Sequence, residues 1–248
     1  MRLFYAIVLT VLAALPARAE VDIQEVTSPG GITAWLVEEH SIPFVALDVR
    51  FRGGASLDAP EKRGAINLMT GLLEEGAGDM DARDFARAAE GLASSFRFSV
   101  DDDALSVSSR FLTENQDASI ALLKQALQTP RFDPDAIERV RGQVLSGIRS
   151  SAKDPNDIAR KKMDELLYGD HPYGSPLSGT EETVTALTRD DLVAAHKAVL
   201  ARDRIFIGAV GDITPEELGL MLDELLGDQP ATGAPLPPQA EVSIPSGT

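Results

Sequence analysis

The chain has 248 residues, of which 44% are hydrophobic and 25% are charged, so it is long enough to bury the core of one sizeable domain. Its net charge of -16 argues against binding to duplex nucleic acid or to an anionic membrane surface, because both require clustered lysine and arginine. The sequence has no cysteine, which excludes disulfides and cysteine-type zinc sites, and its three histidines (His40, His171 and His196) are too far apart to form a helical ligand pair.

The first residues have the pattern of a secretory signal peptide. Arg2 gives a positive start, Leu3 to Leu15 is almost wholly apolar, and Ala17-Arg18-Ala19 fits a cleavage site before Glu20. The apolar run is short for a membrane span, so an uncleaved anchor is the less favoured alternative. We predict that residues 1–19 are removed, that the mature chain has no membrane contact, and that it is secreted across the inner membrane into the periplasm.

The segment after the signal predicts three strands. Ile23–Ser28 and Ile32–Glu38 flank the turn Pro29-Gly30-Gly31, which indicates a hairpin, and Trp35 in the second strand is expected in the core. From Phe44 to Phe51 apolar residues alternate with other residues, which is typical of a half-buried strand.

The next stretch, Arg63 to Gly76, predicts one amphipathic helix. Its apolar residues recur at three- and four-residue intervals, and Gly76 is the natural stop.

The remaining elements follow from caps, turns and apolar periodicity. We predict a helix after Asp81, strands Ser94–Val100 and Ala104–Phe111, a helix opened by a Thr113/Gln116 capping box and ending near Gln128, a helix after Asp133-Pro134 to Ser151, a helix Asn156–Tyr168, a loop His171–Gly179, a helix boxed by Thr188 and Asp191 to Leu200, a buried strand Arg204–Val210, and a helix from Thr214 to about Leu226.

The order of these elements indicates an α+β fold with a mostly antiparallel sheet and helices packed on one face. Residues 20–228 form the predicted domain, and residues 229–248, rich in proline, glycine and alanine, form a predicted linker. The acidic triplet Asp101-Asp102-Asp103 is interpreted as a solvated hairpin turn, because it lacks the glycine and distal glutamate of a calcium loop.

Three segments in this order resemble the insulinase/pitrilysin family of zinc peptidases, which includes the mitochondrial processing peptidase. The segments are Phe51-Arg52-Gly53-Gly54-Ala55 through Gly64 and the following helix, His171-Pro172-Tyr173-Gly174 through Leu192, and Val210-Gly211-Asp212-Ile213-Thr214-Pro215-Glu216-Glu217. The resemblance extends from Val21 to about Leu226, which corresponds to the N-terminal half of a family subunit. It implies that the chain stops in what resembles the linker and first strand of a second half.

The resemblance also implies where a zinc site would lie. Active members bind zinc through two histidines on one helix turn and a glutamate on a later helix, with a glutamate between the histidines as base. The histidines correspond to Asn67 and Gly71, the base to Thr70, and the third ligand to Gly147, or to Ser146 if the register slips by one residue. None of these side chains is a suitable zinc donor, so we expect no catalytic residue, metal or cofactor in this chain.

Family members often work as pairs, so the resemblance implies a metal-bearing partner subunit that carries the zinc. The leading hypothesis is a non-catalytic periplasmic subunit that completes a peptide-binding chamber. Substrate peptides add to a sheet edge in active relatives, and the matching residues are Ser94, Ser95, Phe96, Arg97 and Phe98, for which an ordinary edge strand is the alternative.

Two other functions remain open at this stage. A divergent peptidase would have to use Glu74, Glu75 or His171, although a solvated acidic pair and a loop-packing histidine are the simpler interpretations. A scaffold protein without a proteolytic partner is the third hypothesis. His40 is expected at the surface, and His196 at the surface or at the edge of the core.

Overall fold

The computed structural model describes residues 22–242, so the predicted signal peptide at residues 1–19 lies outside the described residues. The strands in chain order are β1 (Gln24–Thr27), β2 (Thr33–Glu38), β3 (Phe44–Arg52), β4 (Gly76–Ala77), β5 (Met80–Asp81), β6 (Ser95–Val100), β7 (Ala104–Leu112) and β8 (Ile205–Gly211). The helices are α1 (Ala65–Thr70), α2 (Ala82–Gly91), α3 (Gln116–Gln128), α4 (Pro134–Ser151), α5 (Pro155–Tyr168), α6 (Glu181–Ala186), α7 (Arg189–Val199) and α8 (Pro215–Leu226).

Six strands form one sheet in the order β1-β2-β8-β3-β7-β6. Every neighbouring pair is antiparallel except β2 and β8, which are parallel. Strands β4 and β5 form a separate small hairpin. The α+β fold with a mostly antiparallel sheet is therefore confirmed.

The core lies between one face of this sheet and the helices. Val45, Leu47, Val49 and Phe51 alternate inward along β3, as their spacing predicts. Against them pack apolar residues of the helices, including those of α1, α3, α7 and α8. In the described part of the chain no helix is long and apolar enough to cross a membrane.

Two sequence predictions about burial are wrong. Trp35, expected in the core, is 51% exposed because it lies on the sheet face that the helices do not cover. Strand β8, expected to be buried, is only half-buried: Ile207 and Ala209 face the core, while Phe206 and Val210 are exposed on the same outer face as Trp35.

Helix α1 is shorter than predicted. It ends at Thr70, and the chain then continues in tight turns in which the Leu72 N–H donates to the Met69 carbonyl at 2.9 Å. Glycine at position 71 favours this early end because it loses more backbone conformational freedom in a helix than other residues do. Gly76, at φ 116°, ends the turns and leads into β4.

Two capping predictions also need correction, and one helix was not predicted. Thr113 does not cap α3, because its hydroxyl donates to the carboxylate of Asp212 at 3.0 Å and the chain first makes a short 3-10 turn. Asp133 precedes α4 as predicted, but its carboxylate accepts from Arg131 at 2.7 Å instead of from the helix backbone. Helix α6 was not predicted. It begins with a capping box between Thr180 and Thr183, which lacks the usual acidic partner.

Candidate functional site

The beginning of α1 is held by a buried carboxylate. Asp58 accepts hydrogen bonds from the N–H groups of Gly64 at 2.9 Å and Ile66 at 3.1 Å, which would otherwise lack partners at the helix start. Burial raises the pKa of Asp58 to about 6, and the two backbone hydrogen bonds oppose that rise. Asp58 therefore fixes the position of α1.

Arg63, just before α1, ties three separated parts of the chain together. Its buried guanidinium donates to the carbonyl of Ala55, to the carboxylate of Asp102 at 2.6 Å, and to the carbonyls of Pro172 and Ser175 at 3.0 Å each. The loop that contains His171 is therefore anchored to the start of α1. These roles of Asp58 and Arg63 were missed from the sequence, because both depend on backbone groups that only the folded chain brings together: N–H groups of the helix start for Asp58, and carbonyls of separate segments for Arg63.

The end of α1 carries the positions that the resemblance assigns to a metal and a base. The Thr70 hydroxyl donates to the Ile66 carbonyl one turn back, at 2.7 Å, so it is engaged with its own helix. Asn67 is half-buried, and its carbonyl accepts from the Gly71 N–H at 3.2 Å. No carboxylate or imidazole occupies this helix turn.

The space beside Gly71 is occupied by an apolar side chain of α4. A Cβ added to Gly71 would lie 3.1 Å from Cγ1 of Val140, so even an alanine would press on this valine. Arg141, the next residue, holds α4 in place by donating to the carbonyls of Val184 and Leu187, the latter at 2.9 Å. The contact between α1 and α4 is therefore apolar and fixed by a buried arginine.

The third mapped position lies further along α4. Gly147 and Ser146 are exposed, and a Cβ added to Gly147 would have no neighbour within 4 Å. Among residues 22–242 there is no group of three or more histidine, aspartate or glutamate side chains placed to hold a metal ion. The side chains at these positions do not fit zinc, because zinc needs several charged or imidazole donors converging on one point.

The residues proposed for a divergent peptidase do not converge either. Glu75 is bound to Arg139, and burial raises the pKa of its neighbour Glu74, with further help from the charge of Glu75. His171 uses both ring nitrogens: one accepts from the Tyr173 N–H of its own loop at 3.2 Å, and the other lies 3.0 Å from the carbonyl of Pro238 in the C-terminal segment. This is the loop-packing arrangement that the sequence favoured for His171.

The other two histidines lie away from α1. His40 is exposed and contacts Asp212 at 2.7 Å and Glu38 at 3.3 Å, and both hydrogen bonds raise its pKa. His196 is largely buried and contacts the Leu127 carbonyl at 2.8 Å, and burial lowers its pKa. Both positions agree with the sequence expectation.

The predicted peptide-binding segment is an edge strand. β6 pairs with β7 on one side only, so its other edge has unpaired backbone groups, and α1 packs beside it. Phe96 and Phe98 pack towards the core, while Ser95 and Arg97 are exposed. Ser94 precedes the strand and bonds Ser119 at 2.6 Å. Helix α1 therefore packs against the strand that carries this free edge.

Fold and site together define a class: a zinc-peptidase-type domain in which the positions that the resemblance assigns to zinc ligands hold no suitable donor side chains. The family model described as "Insulinase (Peptidase family M16)" matches residues 34–181. The chain belongs to this family.

Relatives of the chain are longer than it is. It is 27% identical to a Helicobacter pylori protein named "Non-peptidase homolog YmxG" over 83% of this chain and 48% of that protein. It is 22% identical to a Bacillus subtilis protein named "Uncharacterized zinc protease YmxG" over 77% of this chain and 47% of that protein. The chain therefore spans about half the length of the curated relatives that it matches.

Solved structures show the same fold. The crystal structure of the peptidase M16 inactive domain from Pseudomonas fluorescens superimposes with a TM-score of 0.80 at 24% identity, over 91% of this chain and 54% of that chain. A protease structure from Helicobacter pylori gives a TM-score of 0.76 at 16% identity, over 91% and 55% of the two chains. At these identities the likeness establishes the fold alone.

Proposed function

We propose that this chain is a non-catalytic component of a periplasmic M16 peptidase, which completes a peptide-binding chamber with a metal-bearing partner. The observation that carries the proposal is the contact at the end of α1. Val140 packs where a ligand side chain on residue 71 would begin, and the Thr70 hydroxyl is engaged with the Ile66 carbonyl. The helices that would hold a zinc ion are thus joined by apolar packing.

The names of similar proteins support a loss of catalysis. One relative is named a non-peptidase homolog, and one solved neighbour is described as an inactive M16 domain. Other relatives are named as uncharacterized zinc proteases, which is the activity that the partner would supply. The zinc ion of the assembly belongs to that partner in this proposal.

The role left to this chain is to hold peptide and exclude water. The free edge of β6 can accept an extended peptide as an additional strand, through backbone hydrogen bonds that do not depend on peptide sequence. Arg97 on this strand lies near enough to Glu74 to affect its ionisation, so the edge is adjacent to the turns that follow α1. A peptide bound there would run beside the end of α1.

Reconstitution tests this proposal. The chain is mixed with an M16 subunit from the same genome that keeps the His-x-x-Glu-His run, and hydrolysis of a fluorogenic peptide is followed for each component and for the mixture. We expect cleavage by the mixture only, and loss of cleavage when the partner's glutamate base is replaced. Cleavage by this chain alone would overturn the proposal in favour of a divergent peptidase.

Recovery of partners from cells distinguishes the third hypothesis. Capture of the tagged chain from a periplasmic extract should recover a metal-bearing M16 subunit, and the recovered chain should begin at Glu20 if residues 1–19 are removed. A stable complex without any such subunit would favour a scaffold role. Retention of the tagged chain in the cytoplasm would contradict the export part of the proposal.

A further inference from the structure

The sheet face that the helices leave open is polar on strands β3, β6 and β7. Along each of these strands, residues that face the core alternate with residues that face away from the helices. The strand register places Arg97 directly opposite Ser108, and Ser95 directly opposite Arg110. The outward positions hold mainly two residue types, and we call this set the serine–arginine face: Arg50, Arg52, Ser95, Arg97, Ser99, Ser106, Ser108 and Arg110.

The charge of this face is opposite to that of the chain. The net charge of the chain is -16, yet the face holds four arginines, and all four are exposed. Asp48 is the one acidic residue among the described residues of these three strands. The face is therefore a local positive surface on an acidic protein.

Three of the four arginines are available to a ligand. The side chain of Arg50 is occupied, because it donates to the carboxylate of Asp101 at 2.9 Å. The guanidinium groups of Arg52, Arg97 and Arg110 form no hydrogen bond or ion pair with another residue between 22 and 242. Their charges can be paired only by solvent ions or by a bound molecule.

The surroundings of these arginines suit carboxylates. Short serine side chains flank the guanidinium groups and leave them accessible, and the serine hydroxyls can themselves donate hydrogen bonds to an anion. Arginine binds a carboxylate through two parallel N–H···O hydrogen bonds. Each such exposed pair contributes little by itself, so a ligand of this face needs several carboxylates.

The serine–arginine face reaches the free edge of β6. Arg97 lies on the edge strand itself, and Ser95 alone separates Arg110 from that edge. In a peptide that adds to this edge, alternate side chains lie on the two faces of the sheet, with about 5 Å between the Cβ atoms of directly opposite residues. Side chains on the open face would lie beside Arg97 and the serines. Those on the other face would lie beside Phe96 and Phe98, which are half-buried and apolar.

We propose that the serine–arginine face binds an acidic peptide, extended along β6, with carboxylates on the open face and apolar residues between them. This inference rests on the proposed function, because it names the class of peptide that the β6 edge would hold. The overall charge of the chain would favour a cationic peptide. A preference for acidic peptides can therefore come only from a local surface such as this face.

Peptide binding to the purified chain tests the proposal. Three labelled peptides alternate valine with glutamate, with glutamine or with lysine, and their binding is measured by fluorescence anisotropy. We expect the glutamate peptide to bind about tenfold or more tightly than the glutamine peptide at low salt, through several weak ion pairs. The lysine peptide should bind most weakly, and added salt should reduce the difference between the glutamate and glutamine peptides.

Charge reversal identifies the residues that select the peptide. R97E combined with R110E should abolish the preference for glutamate and make the lysine peptide the tightest ligand. The matched control combines R160E with K162E on α5, which makes the same change in net charge outside the face, at two exposed residues that pair only with neighbours on their own helix. Arg97 and Arg110 are exposed, so their double variant should keep the wild-type circular dichroism spectrum.

Several results would overturn the proposal. These are no binding of the glutamate peptide, equal binding of the glutamate and glutamine peptides, and equal effects of the two double variants. Tighter binding of a single-stranded oligonucleotide than of the glutamate peptide would also overturn it, since the face would then select phosphates. Cleavage by the reconstituted mixture without a preference for acidic peptides would overturn this inference and leave the proposed function intact.

Discussion

The two ends of α1 are built differently. At its start, two buried charged groups each bind several partners. Asp58 accepts from backbone N–H groups, and Arg63 donates from its two terminal nitrogens to carbonyls and to Asp102, while its buried Nε has no partner among the described residues. At its end, Gly71 meets an apolar side chain, that of Val140. Polar interactions therefore fix where α1 lies, while the described residues form no cluster of metal-binding side chains where the resemblance places a metal.

This difference separates the stability of the fold from its chemistry. Burying a polar group is costly unless hydrogen bonds compensate for the lost water, and at the start of α1 those hydrogen bonds join separate segments of the chain. A metal site likewise requires charged side chains that converge on one point. Where two helices meet through an apolar contact, no such side chains are needed. The predictions below perturb the two ends of α1 separately, and the last one perturbs a distant surface.

The largest effect is expected at Arg63. R63A would leave Asp102 and three carbonyls without a buried donor, and we expect a loss of about 3–5 kcal/mol in the free energy of unfolding. Urea denaturation measures this loss in the free energy of unfolding. R50A is the matched control, because Arg50 binds the neighbouring Asp101 but is exposed, so its loss should cost less than about 1 kcal/mol. Similar losses for both variants would contradict the anchoring role of Arg63.

Asp58 should give the next largest effect. D58A leaves the Gly64 and Ile66 N–H groups unsatisfied, and we expect a loss of about 1–3 kcal/mol. Urea denaturation of D58A beside D84A, which alters an exposed aspartate on α2, separates this loss from a general effect of removing a carboxylate. A loss no larger than that of D84A would show that α1 does not depend on Asp58.

The same residue predicts a pH dependence. The pKa of Asp58 rises on folding from 3.8 to about 6, so the folded state binds its proton more tightly than the unfolded state does. Its contribution to stability is therefore largest below about pH 4, falls as the pH rises to about 6, and is constant above that. When the free energy of unfolding is measured against pH, D58N should lack the fall in stability that Asp58 causes between about pH 4 and about pH 6. A difference in the free energy of unfolding between D58N and the wild type that stays constant from about pH 4 to about pH 6 would contradict this pH dependence.

Two glycines, one at the end of α1 and one on α4, allow a smaller test of the contact with Val140. G147A should stabilise the chain by about 0.5–1 kcal/mol, because the position is mid-helix and has free space around it. G71A should gain less or lose stability, since its Cβ would press on Val140. Differential scanning calorimetry of both variants, and of G71A combined with V140A, measures the difference. Equal gains at both glycines would mean that Val140 does not fill this space.

The smallest effect concerns a surface far from α1. Asp212 and Glu38 raise the pKa of His40, so protonated His40 favours the folded state at low pH, and this contribution is lost as the pH rises through the folded-state pKa. An NMR titration should show that D212N lowers the pKa of His40 and leaves that of buried His196 unchanged. No movement of the His40 pKa would mean that the contact with Asp212 is not formed in solution.

Local sequence signals predicted most elements of the fold correctly. The alternation of Val45, Leu47, Val49 and Phe51 placed β3 in the core, the capping box at Thr188 marked the start of α7, and Thr214 followed by proline marked the start of α8. These signals work because each depends on residues within one turn or one strand. The Thr113 box failed because a distant residue, Asp212, competes for the same hydroxyl.

Long-range properties could not be predicted from single residues. Trp35 was placed in the core on residue type, although its side of the sheet has no helical cover. The candidate site was found by resemblance to a family motif, and its geometry was not predictable. Nothing in the local sequence indicates that Val140 lies against Gly71, because that contact depends on how α4 is held by Arg141.

The most direct test of the account is the metal content of the purified chain. After exposure to zinc and dialysis, elemental analysis should find no stoichiometric zinc, and the chain alone should not cleave peptides. One tightly held zinc ion per chain, accompanied by peptide cleavage and lost on replacing Glu74, Glu75 or His171, would contradict the account.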